Sequence, residues 1–282
     1  MKLARYGEPG QERPALVTED GGLRDLTEHV DDITGRAFEA GLMDRLRNVD
    51  AATLPRVEGN PRLGPCVGDV RSFWAIGLNY TDHAEETNAP IPAEPILFNK
   101  APSCIVGPYD DVVLPEGSTE SDWEVELALL IGKRLYRASE EEAAAAISGY
   151  FVCNDISERE FQLKREGLWT KGKCCPTFGP IGPWLVTPDE FGDPQDKGLW
   201  LDLNGKRTQT GHTSKMIFDV VHIVSYLSRF LILEAGDIVT TGTPPGVGLG
   251  MTPNVFLKPG DVMELGIDGL GSQRQDVVAF PG

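Results

Sequence analysis

The stretch SDWEVELALLIGK, residues 121–133, decides how the chain is read. From Trp123 onward it has the composition of a buried strand, with Val, Leu and Ile in close succession. Residues 127–131 are apolar on both faces, the pattern of a strand with little solvent contact. Glu124 and Glu126 stand at its start. Side chains two apart in a strand point the same way, so both carboxylates share one face, roughly 6–7 Å apart. On a half-exposed edge strand such a pair is ordinary. On a buried strand it requires compensation by protons, cations or a metal.

The chain has 282 residues, of which 40% are hydrophobic. That is enough for one large domain with a small one appended. Acidic residues outnumber basic ones by 43 to 26, for a formal charge of −17. Such a surface repels nucleic acid and anionic lipid, so neither is expected as a partner. No apolar run approaches ~18 residues, and the opening MKLARYGEPG does not read as a signal peptide. Cys66, Cys104, Cys153, Cys174 and Cys175 form no CxxC pair. Their odd number suits free thiols in a reducing cytosol, and a cytoplasmic location is expected.

Residues 1–68 read as a small N-terminal α+β domain plus linker. ALVTED and GGLRDL suggest two short strands, AFEAGLMDRLRNV a helix, and LPRVEGNPRLGPCVG (54–68) an extended connection. Residues 69–282 read as a second, mostly β domain. Its strand-like runs are SFWAIGL, PILFN, WEVELALLIG, GYFVCND, LWLDLNG, DIVTTG and DVMELGI. Three helices interrupt them. Ser139 and Glu142 form the signature of a capping box, with Gly149 expected just past the helix end. Ser157, Glu160 and Gly167 repeat the device. The third helix is expected from about Ser214, with Ile217, Val220, Val221, Val224 and Leu227 on its core face. His222 lies off that stripe and reads as a rim histidine.

Asp155 follows the GYFVCN strand and precedes a helix, where rigid elements can hold a functional side chain. It can equally be a turn residue. Together Glu124, Glu126 and Asp155 would supply three hard oxygen ligands, suited to Mg²⁺, Mn²⁺ or Ca²⁺ rather than zinc. Three protein ligands leave positions open for water and substrate. His83 and Glu86, three apart in GLNYTDHAEETNAP (77–90), would meet on one face of a helical turn. Such a pair can hold an imidazole as a general base, although surface pairs of this kind are common. Lys100, Lys171 and Lys173 could balance charge near the carboxylates or stabilise an oxyanion. The loop TTGTPPGVGLG (240–250) has no GK[ST] and no GxGxxG opening a helix, which excludes nucleotide binding.

The segments GLNYTDHAEE, EPILFNKAPS, DWEVELALLIG, YFVCNDISERE, WTKGK, TSKMIFDVVHIVSYLSRF and GDIVTTGTPPGVG appear in order. Together they resemble the fumarylacetoacetate hydrolase superfamily over roughly residues 70–280. MKLARYGEPG and GPIGPWLVTPDE look closest to a bacterial subgroup of 2,4-diketo-3-deoxy-L-rhamnonate or -fuconate hydrolases and ureidoglycolate lyases. The resemblance implies a mixed β-sandwich roll with a metal, Mg²⁺ first, held by Glu124, Glu126 and Asp155. It implies a catalytic His83–Glu86 dyad on a short helix that orders over substrate, and Lys173 near the metal. It also implies substrate contacts from Arg159, Gln162 and Thr243. One departure is that relatives often carry KSFDTFAP where this chain has KCCPTFGP, so at Cys174, Cys175 and Pro176 the resemblance does not fix the local pocket shape, and with it the substrate.

The implied activity is metal-dependent hydrolysis of a C–C bond in an acylpyruvate-type or sugar-derived 2,4-diketo acid, releasing pyruvate. Family relatives use the same enolate logic for decarboxylation of oxaloacetate, for isomerisation and for hydration, so the alternative within enzymes is an oxaloacetate decarboxylase or a ureidoglycolate lyase. A non-catalytic metal-binding scaffold would have no need of the His–Glu dyad. The polar, proline-punctuated segment 83–94 is expected to act as a lid. A homodimer is expected from the β-rich core and from the family.

Overall fold

A computed structural model of the chain describes residues 1–86 and 90–282. A ten-stranded sheet runs in the order Leu23–Asp25, Arg13–Val17, Lys2–Tyr6, Gly179–Val186, Ile147–Asn154, Val125–Ile131, Ile238–Thr240, Phe73–Gly77 and Ile96–Lys100. Ile105–Val106 attaches beside Gly179–Val186. A second sheet orders Lys206–His212, Gly198–Leu203, Val262–Ile267, Gly271–Val278 and Val112–Val113. Neither closes into a barrel among the described residues, and the fold is the sheet-dominated α+β sandwich expected from the sequence.

Val125–Ile131 lies inside the larger sheet, and all seven of its residues are buried. Alternation explains why it is apolar on both faces. Leu127, Leu129 and Ile131 enter a core with Leu201 and Leu265 of the second sheet and with Ile223 of a helix. Ala128 and Leu130 enter another core, with Leu3, Ile33, Phe38 and Leu42 from the N-terminal residues. The strand is thus sandwiched between two packing layers.

Lys2–Tyr6, absent from the expected strands, pairs with both Arg13–Val17 and Gly179–Val186, so the opening strands extend the large sheet. The 54–68 connection is held down. Leu54, Cys66 and Val67 are buried, and Arg62 reaches both Glu12 and Asp110.

Several helix boundaries differ from expectation. AFEAGLMDRLRNV forms two helices, Gly35–Glu39 and Leu42–Leu46, because Gly41 between them takes a left-handed φ of 79°. The Ser139–Glu142 capping box forms, but its helix ends at Ala146, and Gly149 lies inside the following strand. Ser157 does not cap a helix. Its hydroxyl donates to Asp155 O, and Glu158 caps the Arg159–Leu163 helix instead. The third helix, Val220–Ser228, starts later than expected and is capped by Asp219; Ser214 sits in a preceding 3₁₀ turn. Val220, Val224 and Leu227 are buried as expected, joined by Ile223. His222 stacks between Phe218 and Tyr226 on the outer side. No helix among the described residues is long and apolar enough to cross a membrane.

The two layers approach closely at Gly35. A Cβ there would lie 2.1 Å from Gly236 N and 2.3 Å from Ala235 C, both backbone atoms that cannot step aside. Gly35→Ala should therefore destabilise the protein by roughly 1–3 kcal/mol, although alanine is intrinsically the better helix former by about 1 kcal/mol. Chemical denaturation checks this, and an unchanged or raised midpoint would mean that the two backbones are not in contact.

Candidate metal and active site

The Val125–Ile131 strand and its antiparallel neighbour Ile147–Asn154 place Cys153 opposite Glu126 and Asn154 opposite Val125. Asp155 N donates to Glu124 O, so the acidic side chains at this end of the strand pair come together. Carboxylate oxygens of Glu124, Glu126 and Asp155 all lie within 4.8 Å of one another, and all three residues are buried.

Cations from three other elements answer this cluster. Lys173 Nζ donates to Glu124 Oε2 at 2.6 Å and to Asp155 Oδ2 at 2.8 Å. Lys100, at the end of its strand and 1% exposed, places Nζ 2.5 Å from Asp155 Oδ1. Arg159 Nη2 lies 2.7 Å from Glu124 Oε1 and 2.8 Å from Asp122 Oδ2. Burial works against the charged form of Glu124, yet Lys173 and Arg159 bring its pKa down to about 2. Burial likewise opposes the charge on Lys100, and Asp155 overrides it, raising the pKa. Arg159 is raised in the same way by Asp122 and Glu124.

Glu126 is the exception. Among the described residues it has no ion-pair partner, and its recorded hydrogen bond is a 3.0 Å contact from Gly242 N. Burial first, then the charges of Asp155 and Glu124, push its pKa well above the ordinary carboxylate range. Nearby, the hydroxyl of Tyr80 is buried with no hydrogen-bond partner among the described residues. A hard divalent ion fits this arrangement. Metal–oxygen bonds of 2.0–2.6 Å set ligand oxygens about 3–5 Å apart, the spacing already present. The oxygens of Glu124 and Asp155 also keep a lone pair beyond their present ion pairs.

A cavity of about 230 Å³ opens onto the cluster. Glu124, Glu126, Arg159, Gln162, Lys173 and Thr243 form its polar floor, and His83 lines it as well. His83 and Glu86 lie on the Thr81–Glu86 helix, with Nδ1 of the imidazole 3.1 Å from Glu86 Oε2. A carboxylate only accepts, so Nδ1 carries the hydrogen and Nε2 is the basic nitrogen. Glu86 also accepts from Gly246 N. Of the expected lid segment, residues 87–89 lie outside the described residues.

The remaining expected site residues separate clearly. Arg159 lines the floor while donating from Nε to Asp122 and from Nη1 to Gln162 Oε1. Nη2 donates to Glu124 Oε1, so three of its five hydrogens are engaged, and one on Nη1 is among those left. The Thr243 hydroxyl donates to Val125 O and accepts from Gln209 Nε2. Lys171 is exposed and bonds Arg165 O, away from the carboxylates. Cys174, Cys175 and Pro176 do not line the cavity. Cys174 accepts from Ala101 N, and Cys175 is buried with its Sγ 3.6 Å from Lys171 O.

Asp122 was not among the expected site residues. It is fully buried, holds Arg159, and accepts from Gly248 N and Leu249 N. The signal was available, because Asp122, Glu124 and Glu126 follow the same two-residue alternation.

These features define a sheet-dominated α+β protein with a buried carboxylate cluster, able to hold a divalent cation, beside a small cavity. The chain belongs to the fumarylacetoacetate hydrolase family: the model of the fumarylacetoacetate (FAA) hydrolase C-terminal region matches residues 72–278. A Burkholderia cenocepacia protein, provisionally named a hydrolase, is 52% identical over 276 residues, 98% of each chain. A fumarylacetoacetate hydrolase structure from Exiguobacterium antarcticum is 35% identical, with a TM-score of 0.90 over 99% of this chain and 100% of that one. A maleylpyruvate hydrolase structure from Sphingobium sp. SYK-6 is 28% identical, with a TM-score of 0.82 over 99% and 100% of the two chains. Enzymes of this family depend on divalent metal and act on small-molecule acids, and the Glu124–Glu126–Asp155 cluster is able to hold such an ion.

If the cation is bound here, Glu126→Gln should lower Mg²⁺ affinity at least tenfold. The metal-free variant should melt no lower than wild type, because a buried carboxylate facing two others has been neutralised. Unchanged Mg²⁺ binding by calorimetry would remove Glu126 from the ligand set.

Proposed function

We propose that the chain is a divalent-metal-dependent hydrolase that cleaves the C3–C4 bond of a 2,4-diketo acid of the acylpyruvate type and releases pyruvate. The observation that carries this reading is that His83, Lys173 and the Glu124–Glu126 pair line one cavity. A base and a cation thereby face the same bound molecule. The ion, Mg²⁺ in this reading with Mn²⁺ or Ca²⁺ as alternatives, would be held by Glu124, Glu126 and Asp155 and would supply Lewis-acid polarisation of the 2-oxo acid oxygens. The spare Nη1 hydrogen of Arg159 and the Gln162 amide orient the substrate carboxylate, and Thr243 lines the cavity with them.

His83 Nε2 takes a proton from water as the oxygen bonds to C4, and Glu86 steadies the resulting imidazolium. The C3–C4 bond then breaks, and its electron pair passes to C3 as the enolate of pyruvate. The Lys173 ammonium stabilises that developing negative charge. Return of the proton to C3 yields pyruvate, and the acyl fragment leaves as a carboxylate. Maleylpyruvate, which appears in the name of one structural neighbour, is itself an acylpyruvate, which favours this class.

Sugar-derived diketo acids, oxaloacetate and ureidoglycolate, the substrates of the subgroup that the sequence resembles, are the comparison arms of the test. Mg²⁺-dependent loss of diketone absorbance on an acylpyruvate supports hydrolysis. Turnover confined to oxaloacetate or ureidoglycolate would replace it with decarboxylation or lysis, and metal binding without any turnover would leave a scaffold. The five free thiols suit a reducing compartment, and the proposed location is the cytoplasm.

His83→Ala should leave Mg²⁺ affinity intact and lower kcat by on the order of 10²–10⁴. A variant with wild-type kcat would show that His83 is not the base. The proposed assembly is a homodimer, for which light scattering should give twice the 30.7 kDa chain mass; a value at the single-chain mass removes it.

A further inference from the structure

We infer that the cavity takes 2-oxo acids with an apolar tail, which in the proposed reaction means acylpyruvates whose acyl group is a hydrocarbon chain, and that Trp169 and Leu163 set this preference. The inference rests on the proposed acylpyruvate reading for the reaction and on the cavity wall for the tail.

Two short helices build the same gradient. On Arg159–Leu163, the arginine is buried in ion pairs at the floor, whereas Leu163, four residues on, is 46% exposed. Lys173 is buried against Glu124, whereas Trp169, four residues earlier, is half-buried, and Lys173 N donates to Trp169 O across that turn. Four helical residues span about 6 Å. The cavity therefore changes from charged floor to hydrocarbon wall over about that depth. Phe98, Val247 and Leu249 complete the wall.

Trp169 is held in place. Its ring meets Phe98 edge-on with centroids 5.2 Å apart. Gly77 leaves room on another side, where a Cβ would lie 2.7 Å from the indole Cζ3. A wall fixed in this way resists rearrangement around a polar group.

The same wall disfavours polar tails. Among the described lining residues the permanent cations are Arg159 and Lys173, and both stand at the floor in ion pairs with Glu124. No described cation on the outer wall could hold a second carboxylate, and no described hydroxyl or amide side chain there could satisfy a polyol. A tail carboxylate or hydroxyl held against this wall loses part of its hydration and gains no partner in exchange. With a 2-oxo acid head at the floor, the carbons beyond C4 reach the depth of Trp169 and Leu163.

The test uses the full-length, Mg²⁺-loaded protein in two arms. In the first, calorimetry compares pyruvate, 2-oxooctanoate and 2-oxosuberate, the last matching the octanoate in length but ending in a carboxylate. 2-Oxooctanoate should bind at least tenfold more tightly than either of the others. In the second, kcat/KM should rise from acetylpyruvate to pentanoylpyruvate by up to about sixtyfold, since each of the three added methylenes contributes about fourfold when buried. It should be lower for maleylpyruvate and for a polyhydroxylated 2,4-diketo acid. Leu163→Arg should weaken 2-oxooctanoate binding and strengthen 2-oxosuberate binding; should it not fold, the wild-type comparison decides. Equal or tighter binding of 2-oxosuberate, or a flat chain-length profile, overturns the inference. Tight 2-oxooctanoate binding without cleavage of any acylpyruvate overturns the proposed reaction and leaves the inference about the tail standing.

Discussion

Asp122, Glu124, Glu126 and Asp155 hold four carboxylates out of water within a few residues of one strand end, and much of the surrounding structure answers the repulsion among them. Arg159, Lys173 and Lys100 come from three separate elements, and each ends on at least one of these acids. Removing a single cation from such a set would leave an uncompensated buried charge, which costs roughly 3–5 kcal/mol in comparable cases. The cations therefore fix where the Arg159–Leu163 and Thr170–Lys173 helices sit. Packing alone gives no reason for a lysine as buried as Lys100, at 1% exposure.

The compensation is incomplete by design of the residues present. Four carboxylates face three cations, and the shortfall falls on Glu126, whose pKa burial and its acidic neighbours push up. A divalent ion would turn that deficit into a surplus of one positive charge. Such a surplus suits an anionic substrate, even though the chain as a whole carries −17. Local sign and global sign thus differ, and the buried floor is where a 2-oxo acid would meet attraction rather than repulsion.

The large elements were legible in the sequence because each carries a local signal. Continuous apolar runs marked the central strands, and the alternation of Glu124 and Glu126 marked the acidic face. Its place between strand and helix marked Asp155, and a three-residue spacing marked His83 and Glu86; the resemblance picked Lys173 out of three candidate lysines and added Arg159, Gln162 and Thr243. What was not legible depends on contacts distant in sequence. Lys2–Tyr6 reads as a strand only when Gly179–Val186 lies beside it. Ser157 looks like a helix cap until its hydroxyl is seen bound to Asp155 O. Nothing near Cys174 and Cys175 in sequence indicates that neither lines the cavity. Lys100 and Lys171 have similar local surroundings in sequence, yet one is buried on Asp155 and the other is exposed.

The loop TTGTPPGVGLG brings these strands of argument together. Its glycine content resembles that of a phosphate loop, and its backbone amides do bind anions, but the anions are the protein's own carboxylates. Gly242, at a φ of 89° that favours glycine, sends its N–H to Glu126. Gly246 sends its N–H to Glu86, and Gly248 and Leu249 send theirs to Asp122. The loop is itself tied to the central strand through the Thr243 hydroxyl and Val125 O. One rigid Gly/Pro segment therefore sets the position of the His83–Glu86 dyad relative to the Glu124–Glu126 pair. Oriented backbone dipoles perform this task without adding another titratable group to a crowded site. The same physics that would cradle a phosphate elsewhere here fixes the His83 imidazole relative to the Glu124–Glu126 pair, as the proposed acid–base chemistry on a 2-oxo acid would require.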